Sequence, residues 1–483
     1  MQIFYFFFIP LLIMIGAFGI KNIRTLGRLN ALGYFVILAA TFSLAFNFKQ
    51  PFAIFNFFYV DALSMLFLVT ISVVSFAAAL FSIDYVAKDV EAGAISERKA
   101  RSYYLLFNLF SLSMFFVPVV NNLGMVWVGI ELTTLASAFL VGFYNSKASL
   151  EAAWKYIIIC SVGIILALFG TIIFYYTAST HAGIRSLNWT DIVAQAKSLN
   201  INIVKVAFLF ILVGYGTKAG LAPMHTWLPD AHSQAISPVS AMLSGVLLKT
   251  AIYAILRFMV ITNICVGTQY SAKLFILFGL LSLAIACGFL LVQKHIKRFF
   301  AYSSIEHIGI IILGFGLGSY LALYGAFLHI FNHAVTKSIM FFGSGLVVKR
   351  YKKDNMRSIR GVISAMPFTG FMLILGMFAV AGMPPFSIFF SEIFIAIGGF
   401  IKGSYLVTGL YLFFITIIFC AIIFHLCRVL FGKRPQEMPV AKETLGTKLA
   451  FIFLVIFICS VGIKVPAFLN TLIVESIKIV SKS

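Results

Sequence analysis

The chain consists mainly of apolar runs, most of them about 18–25 residues long, separated by short polar loops. A helix needs about 20 apolar residues to cross the ~30 Å hydrocarbon core of a bilayer. A membrane β-barrel would instead show alternating segments of about ten residues, which this sequence lacks. Charged residues make up only 11% of the chain, whereas a soluble domain averages about 25%. We therefore predict an all-α polytopic membrane protein.

Hydropathy predicts about 14 transmembrane helices. Three occupy residues 1–101, and the last, with a weakly amphipathic tail, occupies residues 446–483. The segments 102–259 and 270–430 share an order of features: an intramembrane glutamate, a lysine in the next span, a broken helix and a long apolar helix. If each segment holds five helices, the second is inverted relative to the first. Inverted repeats with broken helices are typical of transporters.

Lysines and arginines concentrate in the loops that follow odd-numbered predicted helices, and they give a net charge of +21. Such loops usually face the cytoplasm. We therefore predict a multi-pass protein of the inner (cytoplasmic) membrane with both termini outside. Because the basic residues sit in these loops, they indicate membrane orientation and do not indicate a nucleic-acid partner. The apolar N-terminus lacks a basic leader region, so we expect it to be the first span and not a signal peptide.

The segment 218–249 predicts the first broken helix, because Gly-Leu-Ala-Pro and Leu-Pro-Asp steps interrupt an apolar run that has a lysine at each end. A charge at membrane depth costs at least ~2.5–3.5 kcal/mol. Irregular backbone at that depth persists only where protein or a water-filled cavity covers it. The segment therefore suggests an ion path. Its prolines and aspartate are expected to shape the turn, and its histidines either line a proton entry or cap the half-helices: Pro223, His225, Pro229, Asp230 and His232.

A second break is predicted at Gly382-Met-Pro-Pro-Phe386, which contains Pro384 and Pro385 and is followed by Glu392. Glu131 lies in the middle of the fifth predicted span. An intramembrane carboxylate is usually functional or paired with a cation, and we expect Lys218 to be its partner. Such a pair could couple charge movement to proton affinity.

Three residues of the eleventh predicted span, His329, His333 and Lys337, recur every four positions and share one helix face. Histidine suits proton relay, because its ordinary pKa is near 6.5. A metal site is disfavoured, since this helix has no carboxylate or cysteine, although a structural histidine remains an alternative. Glu306 and His307 are adjacent in the preceding span and are further relay candidates.

Two other lysines lie in predicted spans. Lys249 is deep in its span, whereas Lys155 is only about five residues into its helix and could instead extend to the interface. Asp61 and Asp84 lie near span ends, so we expect them to be interfacial.

No sequence motif indicates bond chemistry in this chain. Nucleotide-binding loops and nucleophile elbows are absent, and the six cysteines form no Cys-x-x-Cys pair. We therefore predict no catalytic centre, no cofactor and no metal in this chain.

Taken together, these motifs resemble the antiporter-like proton-translocating subunits of complex I (subunits L, M and N), of Mrp-type antiporters and of membrane-bound hydrogenases. The resemblance covers roughly residues 59–430. It implies that Glu131 and Lys218 gate proton movement and that Glu392 is the terminal exit residue. It also implies a central proton axis formed by Lys155, Lys249, His329, His333 and Lys337.

Within that family, the segments 302–309 and 230–235 look most like hydrogenase-4 component F. This likeness implies a redox-driven complex of the group 4 [NiFe]-hydrogenase or formate hydrogenlyase type. Its partners would be other membrane subunits, lipid and a soluble redox arm that carries NiFe and iron–sulfur centres. A complex I-like NADH or ferredoxin–quinone oxidoreductase and an Mrp-type Na⁺/H⁺ antiporter without a redox partner remain alternatives.

Overall fold

The computed structural model describes residues 2–435 and 438–481, and nearly all of its regular structure is α-helical. A short hairpin of β1 (Phe52–Ile54) and β2 (Phe58–Val60) precedes the third helix. The helices are, in chain order, α1 (Tyr5–Gly19), α2 (Ile23–Phe46), α3 (Ala62–Glu91), α4 (Glu97–Phe116), α5 (Leu123–Val141), α6 (Lys147–His181), α7 (Trp189–Ala194), α8 (Ile201–Ala219), α9 (Trp227–Gln234), α10 (Ser237–Met242), α11 (Leu248–Val266), α12 (Thr268–Val292), α13 (Ile296–Leu317), α14 (Tyr320–Tyr351), α15 (Val362–Ala365), α16 (Pro367–Val380), α17 (Ser387–Ile401), α18 (Tyr405–Leu430), α19 (Leu445–Ile463) and α20 (Ala467–Ser481).

The helical membrane architecture predicted from hydropathy is confirmed. Within the described residues, eleven helical segments are long and apolar enough to cross a membrane. The shorter apolar helices α16 and α17 flank the second break. The number of about 14 spans and the inversion of the repeats stay predictions. The last two residues of the predicted domain 446–483 lie outside the described part of the chain.

The first break separates α8 from α9. Gly220 ends α8 in the left-handed conformation, with φ of 80°, which glycine adopts without steric strain. Polar groups freed by the break have partners inside the protein. The Trp227 indole donates to the Thr217 carbonyl at 2.8 Å, and the Ala222 amide donates to the Ser282 hydroxyl at 3.0 Å. Protein therefore covers the irregular backbone, as the hydrocarbon environment requires.

The second break separates α16 from α17. Gly382 has a positive φ of 68°, and the Met383 amide donates to the Phe378 carbonyl at 3.0 Å. On the far side of the break, the Asn332 side chain of α14 donates to the Ser387 carbonyl at 2.8 Å. Both breaks thus occur where the glycine and proline steps of the sequence predict them.

The centre of the molecule is formed by the run from α10 through α11, which is continuous across a π-helical turn, Leu243–Leu247. The most apolar stretch of this run is wholly buried, whereas that of α18 is only 28% buried. Helices α3 and α13 are also largely enclosed, whereas α12 exposes much of its surface. The central run therefore lies against protein on all sides, and α12 and α18 lie at the periphery with much of their apolar surface exposed.

Candidate functional site

Lys249 lies at the middle of the buried core, one residue into α11. Its ammonium donates to the Ser244 carbonyl at 2.5 Å, across the π-helical turn. It also lies 2.6 Å from Nδ1 of His333 on α14. Single π-turns inside helices are frequent at functional sites. The turn thus supplies a carbonyl partner for a lysine that the surrounding apolar residues could not satisfy.

Three buried histidines of α13 and α14 extend the series of contacts that begins at Lys249. The His333 and His307 rings have centroids 4.6 Å apart. Nδ1 of His307 lies 2.9 Å from Nε2 of His329, and Nδ1 of His329 lies 2.9 Å from the Ser391 hydroxyl of α17. Nε2 of His307 and Nε2 of His333 are buried without a hydrogen-bond partner among the described residues. The step from His333 to His307 is therefore a ring contact, whereas the neighbouring steps of the chain are hydrogen bonds.

A second buried lysine joins this group from the other side. The Lys337 ammonium donates to the Phe300 carbonyl at 3.1 Å. The Ser304 hydroxyl donates to the same carbonyl at 2.9 Å and lies 2.7 Å from the Ser244 hydroxyl. Since the Ser244 carbonyl binds Lys249, these groups join the two lysines. We call the connected set the central network; in order, it comprises Lys337, Phe300, Ser304, Ser244, Lys249, His333, His307, His329 and Ser391.

Two of the predicted acidic residues, Glu306 and Glu392, are each adjacent in sequence to a residue of the central network. Glu392 follows Ser391 and lines a cavity of about 220 Å³ that also borders the second break. Potential ligand atoms of His307, His329 and Glu392 all lie within 4.8 Å of one another. The two histidines are already joined by a hydrogen bond, which favours proton relay over metal binding. The Glu306 carboxylate accepts from the Ser303 hydroxyl at 3.1 Å.

Lys218 forms a separate buried cluster at the first break. Its ammonium donates to the Thr134 hydroxyl at 2.8 Å and to the Tyr156 hydroxyl at 2.5 Å, and it lies 4.6 Å from the centre of the Tyr156 ring. Tyr156 in turn lies 2.7 Å from the Ser137 hydroxyl. Among the described residues, Lys218 does not form the expected ion pair with Glu131; it donates to Thr134, one helical turn further along α5. One carboxylate oxygen of Glu131 is buried without a partner in the described chain.

Lys155 does not join the central network, in contrast to the role implied by the resemblance. Its side chain is 47% exposed and forms ion pairs with Glu151 at 2.6 Å and with Asp230 at 3.3 Å. Asp230 also pairs with Arg298 of α13. The residue lies only two turns into α6, so its long stem reaches a polar surface cluster and not the core. Asp230 therefore also has a role beyond shaping the turn.

A cavity of about 460 Å³ opens beside α9 and α10 and is lined by Asp89, Tyr144, Ser237 and Lys349 among others. Asp89 pairs with Lys349 at 2.7 Å and accepts from the Tyr144 hydroxyl at 2.9 Å. Burial raises the pKa of Tyr144, which lies in the α5–α6 loop, well above its usual range, so this phenol remains a donor.

His232 and His225, the two histidines of the first break, are both buried. Neither ring nitrogen of His232 has a partner among the described residues, and its ring stacks on Phe341 with centroids 5.0 Å apart. His225 lies edge-on to Phe289 and Tyr302, whose rings stack on each other with centroids 4.5 Å apart. The C-terminal end of α9 is capped by Lys297, which donates to the Ala235 carbonyl at 2.7 Å. The cap therefore comes from a lysine and not from these histidines.

Asp61 lies at a helix end, as the sequence indicates, but it is enclosed by protein. Asp61 caps the start of α3 and is 1% exposed, and its carboxylate binds both terminal nitrogens of Arg257 at 2.6 and 2.7 Å. The Arg257 guanidinium also stacks 4.4 Å from the centre of the Trp189 ring. Sequence reasoning did not single out Arg257, although a lone arginine inside an apolar run was the available signal. Asp84 is half-buried on α3.

The chain matches two protein-family models. Residues 120–425 match the family described as NADH:quinone oxidoreductase/Mrp antiporter, transmembrane, and residues 50–93 match the N-terminus of chain 5 of NADH-ubiquinone oxidoreductase, complex I. A hydrogenase-4 component F homologue from Methylacidiphilum infernorum is 37% identical over 92% of this chain and 93% of its own length.

Two solved structures share the fold. A membrane-bound sulfane sulfur reductase, an archaeal respiratory membrane complex, has a chain that superimposes with a TM-score of 0.83 and 25% identity, covering 100% of this chain and 97% of that one. A chain of the Mrp complex from Dietzia sp. DQ12-45-1b has a TM-score of 0.84 and 17% identity, covering 100% and 98%. The protein therefore belongs to the antiporter-like membrane subunits of the NADH:quinone oxidoreductase/Mrp antiporter family, together with hydrogenase-4 component F.

Proposed function

We propose that this chain carries protons across the inner membrane as a subunit of a redox-driven complex. The observation that carries the proposal is the central network, in which buried lysines, histidines and serines are connected from α14 through α11 to α17. Charged and ionisable groups at membrane depth are costly, and they usually mark ion paths. The groups in this network exchange protons and offer few of the oxygen ligands that Na⁺ would need.

In this proposal, the cavity beside Ser237 admits protons and His232 lies between it and the buried lysines. The Lys218 ammonium can move from Thr134 to Glu131, because one carboxylate oxygen of Glu131 has no partner among the described residues and could accept a hydrogen bond from the ammonium after a side-chain rearrangement. Glu392, beside the network's last serine, releases protons into its cavity. Movement of Lys218 between Thr134 and Glu131 would change the local charge and thereby couple the two halves of the chain.

The complex type is proposed from the relatives. The 37% identity to a hydrogenase-4 component F homologue over nearly the whole chain supports a hydrogenase-type complex. Its partners would be other membrane subunits and a soluble arm with NiFe and iron–sulfur centres, which would supply the redox chemistry. A second candidate is an Mrp-type Na⁺/H⁺ antiporter, which the likeness in fold to the Dietzia Mrp complex favours.

Two measurements on the intact complex in mild detergent test this function. Mass spectrometry identifies the partners: nickel–iron and iron–sulfur subunits support the redox pump, whereas small membrane subunits alone support the antiporter. Reconstitution into liposomes then shows whether the transported ion is H⁺ or Na⁺. Redox-driven proton uptake, seen with a pH-sensitive dye in sodium-free buffer, supports proton transport. A strict requirement for Na⁺, together with uptake of radioactive sodium, overturns it.

A Lys218→Ala variant tests the role of the first break in the same liposomes. We expect loss of coupled proton uptake with partial retention of redox turnover, since Lys218 lies in a buried cluster of this chain and the redox centres would belong to partner subunits. Lys205→Ala is the matched control, because this half-buried lysine of the same helix has its ammonium 6.0 Å from the centre of the Tyr270 ring, outside the Lys218 cluster. Full proton uptake in Lys218→Ala would remove the first break from the path.

A further inference from the structure

A groove lies where the ends of α12 and α18 meet the turn that follows α14. It has a volume of about 530 Å³ and is separate from the central network. Its floor is apolar and well exposed: Leu291 is 51%, Val292 68% and Phe424 57% accessible. Both helices are apolar and expose much of their surface, as helices in contact with lipid do. The floor therefore lies where acyl chains reach the protein.

The rim of this groove is cationic. Lys294, Arg357 and Arg428 line it, and no acidic residue does. None of the three forms an ion pair with another residue of the described chain, although Arg298 and Lys349, nearby along the sequence, both do. The guanidinium of Arg428 lies 5.4 Å from the centre of the Phe424 ring, so the charge sits directly above the apolar floor. The rim thus has three cations with no compensating anion.

The two walls of the groove are held together by His425, whose Nε2 lies 3.2 Å from the Leu291 carbonyl. The same ring packs against Phe299 with centroids 5.4 Å apart. This contact aligns the end of α12 with the end of α18 at one membrane face. Because Lys294 follows the end of α12 by two residues, the cationic rim lies at the level of the lipid headgroups.

We propose that this basic groove binds one anionic phospholipid. Its phosphate lies among Lys294, Arg357 and Arg428, and its acyl chain lies on Leu291, Val292 and Phe424. Basic pockets between transmembrane helices at a membrane surface bind such headgroups. A soluble phosphate would use only the rim and leave the apolar floor without a partner. A lipid satisfies both halves of the groove.

The test is native mass spectrometry of the purified full chain in detergent micelles that contain phosphatidylglycerol or phosphatidylcholine. The groove variant is K294Q/R357Q/R428Q. The control variant, K352Q/K353Q/K433Q, removes the same charge from exposed lysines outside the groove. Each basic residue near an anionic lipid contributes about fivefold to binding, so the groove variant should lose on the order of 100-fold in phosphatidylglycerol affinity. The control variant should keep the wild-type affinity.

Other outcomes overturn the proposal. Equal retention of phosphatidylcholine by the wild type would show that charge does not select the occupant. Displacement of the lipid by excess inorganic phosphate would identify a phosphate site. Equal losses of phosphatidylglycerol affinity in the two triple variants would show that net charge alone causes the effect. A cross-link from Arg428→Cys to another membrane subunit in the intact complex would identify a protein occupant. Single R357Q and R428Q variants provide the same comparison should the triple variant fail to fold.

Discussion

The Lys249 ammonium lies 2.6 Å from Nδ1 of His333, and this contact joins α11 to α14 at the centre of the membrane domain. Because Nδ1 accepts from the ammonium, the remaining proton of a neutral His333 ring lies on Nε2, which is buried without a partner among the described residues. A proton can therefore leave the lysine through one nitrogen of the ring, whose centroid lies 4.6 Å from that of the neighbouring His307.

The first prediction concerns His333→Gln. Glutamine retains polarity and most of the volume but cannot relay a proton, so we expect proton translocation to fall at least tenfold, within the range of about 10²–10⁴ typical of acid–base groups. The measurement is dye-detected proton uptake per redox turnover in liposomes. His425→Gln is the control, since that histidine lies outside the central network. Equal effects of the two changes would assign His333 a structural role.

The second prediction concerns Tyr156→Phe, which removes only the hydroxyl that Lys218 contacts at 2.5 Å. The ring would still pack on Trp227, at a centroid distance of 4.7 Å, so the fold should persist. A hydrogen bond to a charged group contributes about 1.5–3 kcal/mol, and we expect coupled translocation to slow about tenfold. An unchanged rate would mean that Thr134 alone positions the lysine.

The third prediction concerns Lys155→Gln. Because this side chain is half exposed and paired on the surface, we expect only a small change in translocation and little change in stability. The same assay, run beside Lys218→Gln, should separate the two lysines clearly. A loss as large as that of Lys218→Gln would restore Lys155 to the proton axis that the family resemblance implies.

The fourth prediction concerns the buried pair of Asp61 and Arg257. Removing one partner leaves an unpaired buried charge, so Arg257→Met should destabilise the protein by about 3–5 kcal/mol. The double variant Asp61→Asn/Arg257→Met should recover part of this loss, since asparagine still caps α3. Thermal unfolding of the detergent-solubilised chain measures both. Strictly additive losses would show that the two residues stabilise the fold independently.

The sequence predicted the features that depend on local chemistry. Glycine and proline steps located both breaks, and a spacing of four placed His329, His333 and Lys337 on one helix face. Membrane helices were predictable because the bilayer demands long apolar runs.

The remaining features depend on contacts between residues far apart in the chain. Asp61 and Arg257 are 196 positions apart, and no local pattern pairs them. The π-turn that presents the Ser244 carbonyl to Lys249 has no signature in the apolar run around it. Likewise, Lys218 donates to the Thr134 and Tyr156 hydroxyls in place of the expected Glu131 carboxylate, since hydroxyl groups also accept from a buried lysine.

The most direct test of proton translocation through this chain is Lys249→Met in the intact, reconstituted complex. Methionine fits the buried volume but carries no proton, and it breaks the central network at the contact between Ser244 and His333. The quantity to measure is the number of protons translocated per redox turnover, with Lys205→Met as the control. We predict a lower ratio in Lys249→Met, with redox turnover retained and the control unchanged. A wild-type ratio in Lys249→Met would contradict the proposed path.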